Sequence, residues 1–249
     1  MSFLLILVFA TTFMSATTIN LTPISDGQGT IGPEDEIKVF NSSIVIDGTG
    51  NATITLNFNY PAAHLTDSFN VSGIILNPTD LLFKMGTDLY GIPIVTHSLT
   101  PDVAGGTVTA GNVYSTTAFQ TAQTVLGNPG ATYRNSAAVW LGGVPVALTV
   151  GPGCGAAGQP LCETISAKGP SSTTVPEFTI TLTGLLPAVF LNDLNTYGAT
   201  AYFGSADCGN GYLTGSVAPV PEPASLVLLG SGLLGLGGMA RRRLSSRKS

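Results

Sequence analysis

The sequence predicts an all-β protein, a β-sandwich with Greek-key or jelly-roll-like connections, preceded by an N-terminal signal segment and followed by a C-terminal transmembrane helix. Three observations lead there. Short runs of β-branched and aromatic residues alternate with Gly, Pro, Asn and Asp through the middle of the chain, without helical spacers between them. Only 9% of the 249 residues are charged, against roughly a quarter in an average soluble domain, while Gly and Pro number 31 and 16. Two uncharged apolar stretches stand at the extreme ends. This composition excludes a coiled coil, a helical bundle and a charge-rich disordered chain.

The first stretch, residues 2–10, reads SFLLILVFA, and small and hydroxylated residues follow. That is the order of a secretory signal, so residues 1–16 are expected to be cleaved near Ala16. No Lys or Arg precedes the run and no A-x-A closes it. The other reading of the run is a first buried strand.

Residues 17–215 hold no linker that would divide them, and about 200 residues suffice for a two-sheet core. The clearest hairpin joins Ile37–Ile46 to Ala52–Tyr60 through Asp47-Gly-Thr-Gly-Asn51. Ile54, Leu56, Phe58 and Tyr60 alternate with Thr53, Thr55, Asn57 and Asn59, which places one face in the core. Further strands are expected at Val71–Leu76, Leu81–Met85, Ile92–Thr96, Thr107–Tyr114, Ala137–Leu141, Val144–Val150, Thr164–Ala167 and Glu177–Thr183. Gly142-Gly143 reads as a hairpin turn between two of these. A short helix is expected within Leu185–Leu194, then strands at Ala199–Ser205 and Tyr212–Val217.

A linker, residues 216–223, carries Val220-Pro221-Glu222-Pro223. Residues 224–240 (ASLVLLGSGLLGLGGMA) are uncharged, and Arg241, Arg242 and Arg243 open a basic tail that runs to residue 249. As a helix of ~1.5 Å rise, 224–240 would span ~25 Å, a marginal crossing of a ~30 Å bilayer core. Its five glycines lower helix propensity further. The arginines should stay on the cytoplasmic side and leave the body outside.

This arrangement, V-P-E-P then an apolar Gly/Leu-rich segment then an Arg cluster at the C-terminus, resembles the PEP-CTERM sorting signal of bacterial exosortase substrates. The same element is also described as the C-terminal domain of certain ice-binding proteins. The resemblance covers residues 220–249. It implies export, a transient stay in the inner membrane, and recognition by an exosortase-type membrane transpeptidase with cleavage near Pro221–Pro223. It also implies a final place at the cell surface or in the extracellular polysaccharide of a Gram-negative-type bacterium. The tail after the arginines, LSSRKS, is longer than that pattern usually carries. A looser likeness to the segment that precedes such signals runs from Phe190 to the Cys208-Gly-Asn-Gly stretch.

Three cysteines remain: Cys154, Cys162 and Cys208. Cys154 and Cys162 bracket the loop GAAGQPL, and a disulfide between them suits an exported protein. Cys208 is then unpaired, and by counting alone it is an equally allowed partner for either of the others.

Catalytic signatures are missing: there is no G-x-S-x-G, H-E-x-x-H, P-loop or C-x-x-C. Gly153-Cys-Gly155-Ala-Ala-Gly158 fits G-x-G-x-x-G, but Pro160 stands where a phosphate-binding helix would begin, so the stretch reads as a loop. His64 and His97 are the only histidines, and neither has a ligand partner at zinc spacing. Asp26, Glu34, Asp35, Glu36 and Asp47 are acidic but lack Ca²⁺-loop spacing and read as solvated turns. With the five basic residues after position 240 set aside, four basic residues face fourteen acidic ones, a balance of −10 that opposes binding to nucleic acid or to anionic lipid. No cofactor and no metal are expected.

These readings converge on an exported, non-enzymatic surface or matrix protein sorted through its C-terminus, with exopolysaccharide as a partner outside. Two alternatives stand beside it. One is a carbohydrate-binding sandwich using Tyr133, Trp140, Tyr197, Tyr202 and Tyr212, with Trp140 more simply assigned to the core. The other is a cryptic hydrolase, which requires His64 or His97 beside Ser and Asp. Ice binding needs a long regular Thr array; Thr179, Thr181 and Thr183 alternate only locally and read as the outer face of one strand.

Overall fold

A computed structural model describes residues 16–23, 38–59, 69–71, 74–76, 80–99, 106–121, 138–167, 178–204, 212–219 and 232. The protein is mostly β-strand, and every strand pair is antiparallel. In place of two separate sheets, one curled eleven-stranded sheet forms the body. It turns at β1 (Thr17–Pro23). On one side follow β2 (Lys38–Ile46), β3 (Asn51–Asn59), β15 (Phe178–Leu185) and the edge strand β14 (Cys162–Ala167). On the other follow β17 (Tyr212–Val217), β16 (Ala199–Gly204), β6 (Asp80–Met85), β7 (Asp88–Pro93), β10 (Tyr114–Thr116) and the edge strand β13 (Val146–Ala147).

The bend lies in β1. Thr17–Leu21 pair with β2, whereas Thr22 and Pro23 pair with β17. Gly215 of β17 makes the crossing close: a Cβ there would collide with the Asn20 carbonyl and lie 3.0 Å from the Ile19 side chain. The two arms therefore face each other and share one core. Ile44, Ile46, Ile54, Leu56, Ile180 and Leu182 come from one arm, and Leu81, Phe83, Met85, Ile92, Ala201 and Leu213 from the other. Phe58 of β3 meets Phe203 of β16 across the gap, ring centroids 6.2 Å apart. The expected stack of two sheets is thus replaced by one curled sheet whose arms share a core.

The first hairpin follows its sequence. Inward Ile44, Ile46, Ile54, Leu56 and Phe58 are buried, and Asp47–Asn51 make the turn, with Gly50 at φ +89°. The Asp47 carboxylate accepts from the Thr49 and Asn51 N–H groups (2.8 and 3.0 Å) and from the Thr49 hydroxyl (2.7 Å). These bonds hold its pKa below the ordinary value. Between Phe40 and Ser43 the ladder slips at a bulge. There the Ser42 hydroxyl substitutes for the lost backbone acceptor, taking the Asn57 N–H at 3.0 Å and donating to the Phe40 carbonyl at 2.9 Å.

Helix α1 (Ala188–Tyr197) carries the chain from β15 in one arm to β16 in the other. Phe190, fully buried, packs edge-on to Phe83 and Tyr90 at 5.1 and 5.2 Å. The Tyr90 hydroxyl donates to the Asp193 carboxylate. Burial, then this bond and the charges of Asp193 and Asp88, push the Tyr90 pKa up.

Three two-stranded ladders complete the description: β4 (Phe69–Val71) with β5 (Ile74–Leu76), β8 (His97–Ser98) with β9 (Thr107–Val108), and β11 (Ala118–Thr121) with β12 (Ala138–Gly142). They correct several expectations. The Val71–Leu76 run is not one strand but is divided between β4 and β5. Thr107–Tyr114 is broken by a turn in which Gly111, at φ +76°, receives the Leu161 carbonyl so closely that a Cβ would lie 2.6 Å from it. Gly142-Gly143 is not a hairpin turn: β12 pairs with β11 and β13 with β10. Gly143, at φ +62°, instead lets the chain pass the Thr117 hydroxyl on its way to the sheet edge. No described helix is long and apolar enough to cross a membrane. The expected span 224–240, Gly232 apart, and the expected signal 1–16, Ala16 apart, lie outside the described residues.

Candidate functional site

The outer face of the arm containing β6, β16 and β17 holds the side chains of interest. On β6, Leu81, Phe83 and Met85 point into the core, which leaves Asp80, Leu82 and Lys84 on the outside. The β11–β12 hairpin lies over the first two of these. Leu141 packs on Leu82 and Tyr114 in a second small core. Gly91 makes the slot, since a Cβ there would lie 2.5 Å from Leu141 Cδ2.

Asp80 is sealed beneath this hairpin, 1% exposed. One carboxylate oxygen accepts from the Leu141 N–H at 2.9 Å, and the other pairs with His97 Nε2 at 2.8 Å. The His97 ring stacks on Trp140 with centroids 4.6 Å apart. Burial works to lower the His97 pKa, but the Asp80 charge and hydrogen bond outweigh it, with help from the Ser98 carbonyl, and the net shift is upward. His97 Nδ1 faces that Ser98 carbonyl at 3.3 Å. With a carboxylate on one nitrogen and a carbonyl on the other, the imidazole suits a doubly protonated structural cation that ties three elements together. A triad base would instead turn its second nitrogen to a hydroxyl nucleophile. The buried Trp140 N–H has no hydrogen-bond partner among the described residues.

The described strands β11 and β12 stop short of the far end of this face. There a groove of about 330 Å³ remains, lined by Lys84, Gly86, Tyr197, Thr200, Tyr202 and Ser216 together with Ala199 and Val217. Register assembles it: Thr200 pairs with Lys84 on one side and with Ser216 on the other. Tyr197 ends α1, and its ring lies on Gly86, whose added Cβ would stand 3.1 Å from the ring. It remains 52% exposed. Tyr202 stacks on Tyr212, centroids 6.1 Å apart.

The last described residues of the body, Ala218 and Pro219, lie beside this groove. Gly198 has φ +68°, and a Cβ there would strike the Val217 carbonyl and lie 2.8 Å from Pro219 N. Its neighbours Tyr197 and Ala199 both line the groove, so exposed Pro219 lies at the groove's rim.

The expected sorting residues Val220, Pro221, Glu222 and Pro223, and Arg241, Arg242 and Arg243, lie outside the described residues, as do His64, Tyr133 and Cys208. Cys154 and Cys162 are joined in a disulfide, Cα atoms 4.9 Å apart. The loop between them turns through Gly155 and Gly158 at positive φ, and Gly155 accepts from the Leu185 N–H at 3.0 Å. Trp140 and Tyr212 are buried, 4% and 7% exposed, so among the described rings expected to stack on sugars Tyr197 and Tyr202 reach the groove. Sequence reasoning missed Asp80, Lys84, Thr200 and Ser216 as neighbours. The described residues hold no cluster of three or more metal-ligating side chains.

Comparison with known families finds the PEP-CTERM protein-sorting motif at residues 219–243. No curated protein and no solved structure matches the chain. The motif starts at the last described residue of the body, two positions after β17 ends. It implies an exported, membrane-associated precursor recognised by an exosortase.

Proposed function

We propose that this chain is a non-enzymatic surface or extracellular-matrix protein, exported behind an N-terminal signal and released from a membrane-anchored precursor by an exosortase-type transpeptidase. Residues 224–240 form the transient membrane span, Arg241–Arg243 orient it, and Pro221-Glu222-Pro223 is the processing region. The body then resides at the cell surface or among exopolysaccharide. The observation that carries this reading is the sorting motif at 219–243, which begins where the folded strands end. Cleavage near Pro221–Pro223 removes no described strand, so the curled sheet survives processing intact.

The test replaces Pro221-Glu222-Pro223 with alanines in the native host and follows the chain by fractionation and by mass spectrometry of its C-terminus. The expected result is a full-length precursor retained in the inner membrane. Unchanged processing and delivery refute the proposal.

A further inference from the structure

The leash between body and span is very short. Five Cα steps separate Pro219 from Ala224, the first residue of the apolar segment. At ~3.3–3.6 Å per residue they reach at most ~18 Å. Roughly 5–8 Å of that is headgroup layer, the difference between a ~30 Å hydrocarbon core and a ~40–45 Å bilayer shared over two sides. Pro219 therefore stands within ~13 Å of the headgroup surface, little more than the ~8 Å Debye length at physiological salt. The groove opens at that same point, because Pro219 packs on Gly198 between two groove residues.

The chemistry there suits the interface. Tyr197 is half exposed yet held flat on Gly86, and aromatic rings of this amphipathic kind concentrate at headgroup depth. Lys84 is exposed at the end of β6 and brings a cation on a flexible apolar stem. Thr200 and Ser216 add hydroxyls on either side. Of the acidic side chains nearby in the fold, Asp193 is engaged by the Tyr90 hydroxyl, and exposed Asp88 opens the next strand of the Lys84 hairpin.

We infer that, before processing, the Tyr197–Lys84 groove lies against the lipid headgroups of the membrane that holds residues 224–240, and so fixes which face of the body the membrane enzyme meets. This rests on the span proposed above. Lys84 attracts headgroup phosphate, Tyr197 enters the headgroup layer, and the outward face of the opposite arm remains in water.

The experiment uses the full chain in nanodiscs of phosphatidylglycerol and phosphatidylcholine. Photoreactive benzoylphenylalanine replaces Tyr197 in one sample and Thr49 in another. Thr49 lies in the β2–β3 turn, whose Gly50 meets Leu191 in the first turn of α1, about 9 Å of helix rise from Tyr197. Lipid adducts at 197 should exceed those at 49 several-fold, and Lys84→Glu should reduce them at least threefold with the melting temperature unchanged. Equal yields, or adducts at 197 only to protein, overturn the inference when the chain resists carbonate extraction. A chain stripped from the membrane by carbonate overturns the span itself, and this inference with it.

Discussion

Asp80 offers the sharpest test of how the outer hairpin is held. Asp80→Ala removes the charge facing His97 and the acceptor of the Leu141 N–H in one step. Truncating one partner of a buried pair costs ~3–5 kcal/mol, and an orphaned buried N–H ~1–3. The two costs overlap, and the His97 side chain keeps 12% exposure and escapes part of its cost by losing its proton. We expect ~3 kcal/mol near pH 6, which for a domain of this size lowers Tm by ~6–12 °C. The pH dependence also changes sign. In the native protein the His97 pKa is raised, so its stabilising contribution is complete below its unfolded value of about 6.5 and fades as pH rises through the folded value. In the variant burial, the largest influence, is opposed only by the weaker Ser98 carbonyl contact, so the pKa falls and stability decreases as pH drops. Calorimetry at pH 5 and pH 8 measures both effects. Trp140, the single tryptophan, stacks on His97 and supplies a fluorescence readout of the same titration. A Tm loss below 2 °C, or an unaltered pH slope, refutes the assignment of Asp80 and His97 as a buried pair.

Other expectations follow from particular contacts. Phe190→Ala empties the space between Phe83 and Tyr90 and should cost ~3–5 kcal/mol in urea unfolding. Cys154→Ala with Cys162→Ala opens a loop of sequence separation 8 and should lower stability by ~2–3 kcal/mol, with reductant producing the same loss in the native chain and none in the variant. Gly198→Ala forces a side chain into left-handed backbone against the Val217 carbonyl, and a loss above ~2 kcal/mol is expected by thermal melt. An unshifted melt would show that the chain exit is not packed as described.

The strands of the body were legible where one face alternates, as in β3, or where a short apolar run is buried on both faces, as at Leu81–Phe83 of β6. Helix α1 begins three residues later than the expected Leu185, because β15 continues through Leu185 and Pro187 marks the helix start. The short strand β11 was not legible: Ala118-Phe-Gln-Thr121 has no alternation, and its partner β12 lies beyond a long interval of chain. The fate of Gly142-Gly143 was equally hidden, since a double glycine marks a bend without saying which strands it joins. The groove was the least legible of all. Lys84, Thr200 and Ser216 become neighbours only through the antiparallel register of β6, β16 and β17. The C-terminal motif needed no register, because its information is linear.

β17 is the seam of the molecule. It pairs with β16 on one edge and with β1 on the other, so the first strand of the body waits for the last, and Thr22 finds the Thr214 carbonyl across 192 positions of sequence. Until Tyr212–Val217 are in place, no described ladder joins the two arms and the sheet cannot shut. In a chain exported as proposed above, this sheet can close only after Tyr212–Val217 have crossed, with the sorting motif at 219–243 directly behind them.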